Sequence, residues 1–439
     1  MSILKKIIVF ILEIEARIIL KKWKPQIVVV SGSVGKTSTK DAIFHALSLL
    51  GNVRGNQKSY NSEVGVPLTI LGLESAWRSP LGWVVNMWKG FRLILKGKSY
   101  PSTLVLEVGS DKPGDITNLM KWLTPDIAVL TSLPEVPVHV ENFSSPEELR
   151  NEDSVVFHSI KPGGVLVGNI DDPRILKFLN EKSEEGVRTI SYGFHLDSDV
   201  RGFDSLPRYA QNEGVNAPVG MQFTVENKNV THTLSLSGVL GKPACSAALA
   251  AIAVGLSRDL KFTALVEEML THKSPPGRMR LIAGKGGCTL IDDSYNSSPI
   301  ALESALNELR GIQCGRKIAV LGDMLELGNF SSDEHWKAGR QAGGFLDMLV
   351  TVGSRARLMA EGAKSAGLPE GKIHMFNSAE EAGKFLLSEI LRGDVILLKG
   401  SQGSGENKIR LEGAVKVLMS HVGDAETQLV RQGEEWSRQ

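Results

Sequence analysis

Residues 27–47, IVVVSGSVGKTSTKDAIFHAL, pass from a β-branched run through a Gly/Ser turn into a helical pattern. A strand that feeds a glycine-rich loop and then a helix is how a chain builds a cradle for phosphate: backbone N–H groups and the positive end of the helix dipole converge on one anion. Gly32 and Gly35 allow the tight turn, and Ser33 and Ser38 belong to the same nucleotide-binding stretch. Lys36 is placed to reach the β- and γ-phosphates, and the Thr37 hydroxyl to hold Mg²⁺. The longer form of this loop has a glycine at position 30, where this chain has Val30, so the match is to the shorter G-x-x-G-K-T. The stretch predicts a nucleotide site and, with the strand before it and the helix after it, an α/β fold with a mostly parallel sheet.

A chain of 439 residues has room for about two or three domains. Its 42% hydrophobic and 23% charged content is that of an ordinary globular protein. A net charge of +1, with no basic block interleaved with aromatics, argues against a nucleic-acid partner. Cys245, Cys288 and Cys314 are scattered without metal-ligand spacing, which reads as buried reduced thiols and a cytoplasmic setting. Residues 3–24 are too charged to span a bilayer, with Glu13, Glu15 and Arg17 interrupting the apolar run. They form an amphipathic helical pattern flanked by Lys5, Lys6, Lys21, Lys22 and Lys24, suited either to packing on the next domain or to lying on the inner face of a membrane. The aromatic stretch 77–98 has the same two readings.

From Gln26 onward apolar strands alternate with helical stretches, and STLVLEVGS (102–110) and DIAVLTSL (126–133) each end in a polar loop, the place where open α/β sheets bind ligands. Residues 195–237 read as strands and turns, and 244–257 as an Ala-rich buried helix. Paired prolines at 275–276 predict a boundary, after which a fresh alternation reads as a second, Rossmann-like unit. The expected division is an amphipathic helix over 1–25, a central ATP-binding domain over 26–275, a C-terminal domain over 276–422, and a frayed polar tail over 423–439.

The P-loop is followed in order by YNSEVGVPLT (60–69), LEVGSDKPGDI (106–116), VHVENF (138–143), PPGRM (275–279), IDDSYNSSP (291–299), LGDMLELG (321–328) and LLKGSQG (397–403). Together these words resemble the Mur ligases, ATP-dependent amide-forming enzymes of peptidoglycan precursor synthesis. DDSYN followed by LGDMLELG is the most specific part and resembles the branch that adds D-alanyl-D-alanine to a muramoyl-peptide carboxylate. The resemblance implies ATP and Mg²⁺ as cofactors, small nucleotide and peptide substrates, and an acyl-phosphate route. It implies that Glu107 and His139 bind a second Mg²⁺, that Arg278 reaches ATP phosphate from the hinge, and that Asp293 contacts the nucleotide ribose, with Asp292 beside it structural. It places Ser294, Tyr295 and Asn296 against the incoming amine, and Arg410 as the family's arginine after KGS, with 404–408 as an insertion.

The chain departs from the family pattern in three places. The family sets a UDP-sugar-binding domain ahead of the P-loop; here the loop begins at residue 32 behind a single helix, which keeps as alternatives an amide ligase of the same fold with a non-UDP or lipid-linked substrate and a non-catalytic nucleotide-binding relative. Where the family has a lysine carbamylated by CO₂, counting back from GNIDD (168–172) by the family's spacing lands on Asp153, with Glu152 before it. The family's G-x-H-N words before the Ala-rich helix are replaced by GKPAC (241–245), so Pro243 and Ala244 cannot make the polar contacts of His and Asn.

Overall fold

The computed structural model describes residues 3–56, 60–77, 79–212, 214–403, 409–433 and 436. Strand β1 (Gln26–Ser31), buried along nearly its whole length, leads through a four-residue loop into a helix starting at Lys36. Around β1 grows a nine-stranded sheet: β2 (Val53–Gly55), β3 (Thr103–Glu107), β4 (Ile127–Leu130), β5 (Val165–Asn169), β6 (Arg188–Gly193), β7 (Val200–Asn212), β8 (Val215–Asn227) and β9 (Val230–Ser237). Their order is β2-β3-β1-β4-β5-β6-β7-β8-β9, parallel as far as β7 and antiparallel beyond it. The β-branched runs of β1, β3 and β4 suit this, because a parallel sheet covered on both faces takes near-continuous apolar strands. The second sheet comprises β10 (Arg280–Ala283), β11 (Thr289–Asp293), β12 (Lys317–Gly322), β13 (Met348–Val352), β14 (Ile373–Phe376) and β15 (Val395–Lys399). Its order is β10-β11-β15-β12-β13-β14, parallel except for β10. The expected α/β class, with two mostly parallel sheets, is therefore observed.

The helices are α1 (Ile3–Trp23), α2 (Lys36–Leu47), α3 (Gly65–Leu71), α4 (Pro80–Lys96), α5 (Asp115–Met120), α6 (Pro146–His158), α7 (Pro173–Glu184) and α8 (Lys242–Ser257), with others in the C-terminal unit. Helix α8 is the expected Ala-rich one; its small side chains let it sit in the core against α2 and β5–β7. Helix α6 begins where Ser145 Oγ accepts the Glu148 N–H, with Pro146 in its first turn. From there Leu149, Asp153, Val156 and Phe157 fall on its buried face.

Helix α1 packs on its own domain through Ile8, Leu12, Ala16 and Ile19, which join the core beneath β1 and β3. Alongside it lies α4, approached so closely that Glu15 occupies the space a Cβ on Gly90 would need. The Lys22 ammonium donates to the Ile94 carbonyl at 2.7 Å. Each helix also keeps an apolar stripe in the open: Ile7, Phe10, Ile14 and Ile18 on α1, and Leu81, Val84, Val85, Trp88, Phe91 and Leu95 on α4. The packing reading is thus observed for both helices, and the exposed stripes are what that packing leaves uncovered. None of the described helices is long and apolar enough to cross a membrane.

The frayed tail expected after residue 423 is a correction. Ala425 and Leu429 are buried, and the Arg431 guanidinium lies against both oxygens of Glu412 at 2.6 and 2.9 Å. Two apolar anchors and one buried ion pair dock residues 425–431 onto the C-terminal unit, against the polar composition of the stretch. The three cysteines are free thiols, Cys245 and Cys288 buried and Cys314 half-buried, and burial pushes the Cys288 thiol up to about 12 and Cys314 to about 11.

Candidate active site

Strands β1, β3 and β4 end side by side, and the loops beyond them form one wall of a cleft whose other wall is the C-terminal unit. Gly32 has φ 119° and Gly35 φ 85°. A Cβ on Gly32 would stand 2.4 Å from Thr131 Oγ1, so a side chain there would push the loop off β4. The Ser33 N–H donates to the Ser132 carbonyl (3.0 Å) and the Val34 N–H to Ser132 Oγ (3.2 Å), which pins the loop. Lys36 folds back over it, donating to the Gly32 carbonyl.

Thr37 Oγ1 donates to Glu107 Oε1 at 3.2 Å, and Asn61 Nδ2 reaches the same oxygen at 3.4 Å. Glu107 is 1% exposed, and its Oε2 is buried without a hydrogen-bond partner among the described residues. A buried carboxylate oxygen left open beside a threonine hydroxyl is a vacant acceptor suited to a hard cation. No cage of three or more His, Cys, Asp or Glu occurs among the described residues, so a cation here would complete its shell with water and phosphate oxygens.

Asp153 projects from α6 into the same cleft and is 2% exposed. Its Oδ2 accepts from Ser33 Oγ and its Oδ1 from Ser110 Oγ, both at 2.9 Å. Burial raises its pKa above the usual carboxylate range, against the lowering effect of the Lys36 charge and the two hydroxyls. Glu152 turns the other way and accepts from the Thr117 N–H (2.7 Å) and hydroxyl (2.9 Å) on α5. Of the two acids, Asp153 is the one that meets the P-loop.

His139, at φ 69° in the left-handed region, holds Glu326 Oε2 at 2.8 Å through Nδ1 and lies 3.5 Å from Asp111 through Nε2. Burial and the Lys36 charge lower the imidazole pKa, but the Glu326 carboxylate 2.8 Å away, with Asp111, outweighs them and raises the value. Glu326 belongs to the C-terminal unit, so this contact crosses the cleft. So does Arg278, whose Nη2 donates to Thr37 Oγ1 at 3.4 Å while its guanidinium lies 4.1 Å over the Tyr295 ring.

The structure thus gathers Ser33, Gly35, Lys36, Thr37, Glu107, His139, Asp153, Arg278, Tyr295 and Asn296 around one cleft, with Gly32 beneath the loop. Ser38 and Asp293 border an adjoining, more apolar hollow, with Asn169, Phe194, Pro243 and Ala244. There Asp293 is held by Lys399 at 2.6 Å. Asp292 is buried behind it, accepts the Ser294 N–H at 3.2 Å, and has its pKa pushed up to about 6 by burial.

Two expected substrate residues stand elsewhere. Ser294 is 1% exposed and lies behind the cleft wall, because its N–H is turned back onto Asp292. Arg410, at φ 46°, runs to the Trp436 carbonyl (3.2 Å) and over the Trp436 ring instead of entering the cleft. The insertion expected at 404–408 lies outside the described residues. Sequence reasoning assigned no role to Asn61, Ser110 or Glu326, although each falls within a quoted motif. It also missed Arg431, which donates to the carbonyls of Ser294 (2.8 Å) and Tyr295 (3.2 Å). Its only signal is the apolar Leu429–Val430 pair beside it.

Two family models match: the Mur ligase middle domain over residues 86–255, and the Mur ligase glutamate ligase domain over 277–402. The chain belongs to the Mur ligase family. A relative from Bacillus subtilis, named UDP-N-acetylmuramoyl-tripeptide–D-alanyl-D-alanine ligase, is 26% identical over 406 residues, which is 92% of this chain and 78% of that protein. One of the same name from Mycobacterium leprae is 29% identical, over 86% of this chain and 71% of that protein. Among solved structures, the MurF ligase from Thermotoga maritima in complex with ADP aligns with a TM-score of 0.73 at 24% identity, over 93% of this chain and 83% of that one. MurF from Acinetobacter baumannii aligns at 0.71 and 23%, over 89% and 77%. These two structural matches are likenesses of fold, and they extend over both sheets that form the cleft of this Mur ligase.

Proposed function

We propose that this Mur ligase joins D-alanyl-D-alanine to the terminal carboxylate of a UDP-muramoyl-tripeptide at the cost of ATP. The observation that carries the reading is the cleft itself: a P-loop lysine, a threonine–carboxylate pair with a vacant oxygen, and an arginine and tyrosine from a second unit face one another across it. The curated relatives that match most of the chain bear this activity in their names.

Forming an amide from a carboxylate and an amine in water is uphill, so the acid is first made an acyl donor. The substrate carboxylate attacks the γ-phosphorus, the bond to the β-phosphate oxygen breaks, and ADP leaves. The amine then attacks the acyl carbon, loses a proton, and inorganic phosphate departs. Such a site acts mostly through positioning and charge neutralisation. The loop amides and Lys36 hold the phosphates, and Arg278 brings positive charge from the other wall. Thr37 and Glu107 fit Mg²⁺, which when bound neutralises phosphate charge, and His139 stands ready at the edge of that site. Asp153 supplies from its own side chain the negative oxygens that a carbamylated lysine supplies elsewhere in the family. The apolar hollow with Phe194, Pro243 and Ala244 takes the adenine by stacking and shape, with Asp293 at the ribose. Tyr295 and Asn296 face the incoming amine.

The test is phosphate release from Mg²⁺ and ATP, with each substrate omitted in turn. Release that requires both the UDP-muramoyl-tripeptide and D-alanyl-D-alanine, with the pentapeptide product seen by mass spectrometry, is the expected result. Turnover with neither substrate, or with a different acid and amine only, overturns it.

A further inference from the structure

Helices α1 and α4 pair on the outside of the nucleotide-binding unit, and their inner faces are spent on each other and on the core. What remains outside is a surface where Phe10, Ile14, Trp88 and Phe91 are each more than a third exposed. Large apolar side chains grouped in this way, rather than scattered singly, mark an interaction surface.

The charges nearby indicate which partner. Residues 3–24 and 80–98 hold ten Lys and Arg against two acids, Glu13 and Glu15, in a chain whose net charge is only +1. Glu15 is buried between the helices, and α4 has no acidic residue at all. Lys6, Arg17, Lys21, Lys89, Arg92 and Lys96 are exposed, next to the apolar stripes. A second copy of this chain would bring the same positive charge against itself. An anionic lipid surface instead takes apolar side chains among its acyl chains and lysines among its headgroups, and an amphipathic helix rich in Lys and Arg with Trp, Phe and Leu is the form that does so. Trp88, with the Arg92 guanidinium 5.7 Å from its ring, suits the boundary between the two.

We infer that the α1–α4 pair docks this enzyme peripherally on an anionic lipid surface, without crossing it. The inference does not depend on which substrates the cleft takes. Because α1 continues through residues 24–25 into β1 and the P-loop, the contact holds the catalytic unit in a fixed orientation to the surface.

The experiment is co-sedimentation of the full chain with vesicles of phosphatidylglycerol and phosphatidylcholine, and with phosphatidylcholine alone. Binding at least tenfold tighter to the anionic vesicles, weakening as salt is raised, is expected. The double variant Trp88→Glu/Phe91→Glu, and separately Lys89→Gln/Arg92→Gln, should each lose tenfold or more while retaining the wild-type melting temperature. Recovery of the wild type in the supernatant with both vesicle types overturns the inference, as does unchanged binding in both variants. Light scattering that shows a dimer broken by Trp88→Glu/Phe91→Glu, with no vesicle binding, assigns the surface to self-association and overturns it too. Loss of ligase activity with vesicle binding intact bears on the cleft alone.

Discussion

Replacing Asp153 by Asn keeps the shape of the side chain and removes its charge. In the structure the carboxylate accepts one hydroxyl on each oxygen, from Ser33 and Ser110, and sits close enough to Lys36 for the ammonium to lower its pKa. The hydroxyls can rotate to suit an amide, so what the variant loses is the charge-assisted part of the contacts and the negative potential beside the P-loop. Hydrogen bonds to charged groups are worth about 1.5–3 kcal/mol. If that loss falls on the transition state, at about 1.36 kcal/mol per decade, kcat/KM drops by about 10- to 100-fold. Stability should move the other way or not at all, because burial already disfavours the charged form of Asp153 and Asn carries no charge to bury. Phosphate release titrated with Mg²⁺, next to a thermal melt, separates the two effects. The same assay with added bicarbonate should show no response in the wild type, because an aspartate needs no CO₂ to become a carboxylate. Full activity in Asp153→Asn, or activation of the wild type by bicarbonate, would refute the reasoning, and Glu152→Gln should leave the Mg²⁺ titration unchanged because Glu152 faces Thr117.

Lys36→Ala should lower turnover by about 10²-fold or more, since its charge meets the γ-phosphoryl group as it transfers, and steady-state phosphate release checks it. Glu107→Ala should raise the Mg²⁺ concentration needed for half-maximal rate, read from the same titration. Glu326→Gln should lower the His139 pKa, because burial then acts on it with less opposition, and an NMR titration of the imidazole reads the shift. The sign for the wild type follows: the raised His139 pKa makes the cross-cleft pair strongest below the ordinary histidine value of about 6.5, and the pair weakens as pH rises through the folded-state value. Glu15, pushed up to about 7 by burial, is protonated in the fold at low pH, and its cost appears as pH climbs from the unfolded value of 4.5 through 7. Glu15→Gln should therefore melt higher than the wild type at pH 8, by an amount on the order of 2 kcal/mol, with the difference vanishing near pH 4.5.

Much of the site was legible because its residues answer to local rules. Gly32 and Gly35 are needed wherever a loop takes positive φ against a neighbouring strand, and the β-branched run before them belongs in a buried parallel sheet. Asp153 was reached by the family's spacing back from GNIDD, and it is α6 that then turns Asp153 toward Ser33 and Glu152 toward Thr117. What spacing cannot show is which way a chain turns at a single left-handed residue. Arg410 follows the KGS word and was expected at the substrate for that reason, yet with φ 46° it delivers its side chain to Trp436. Glu326 was quoted inside a motif without a role because its partner, His139, is 187 positions earlier in the sequence, on the other wall of the cleft. Residues 425–431 looked like solvent-borne tail because composition reports their average polarity, whereas two apolar side chains and one arginine decide where they go.

The docking of Arg431 bears on the order in which this protein becomes competent. The P-loop and the strands around it are made early, and domains tend to fold as units in the order they leave the ribosome. The backbone of Ser294 and Tyr295 acquires its guanidinium partner only when a residue 136 positions further on has been added and has found Glu412. A nascent chain can thus hold a finished phosphate cradle while the opposite wall still lacks its brace. In a chain still short of Arg431, the loop that cradles phosphate is already present while the wall facing it has no brace.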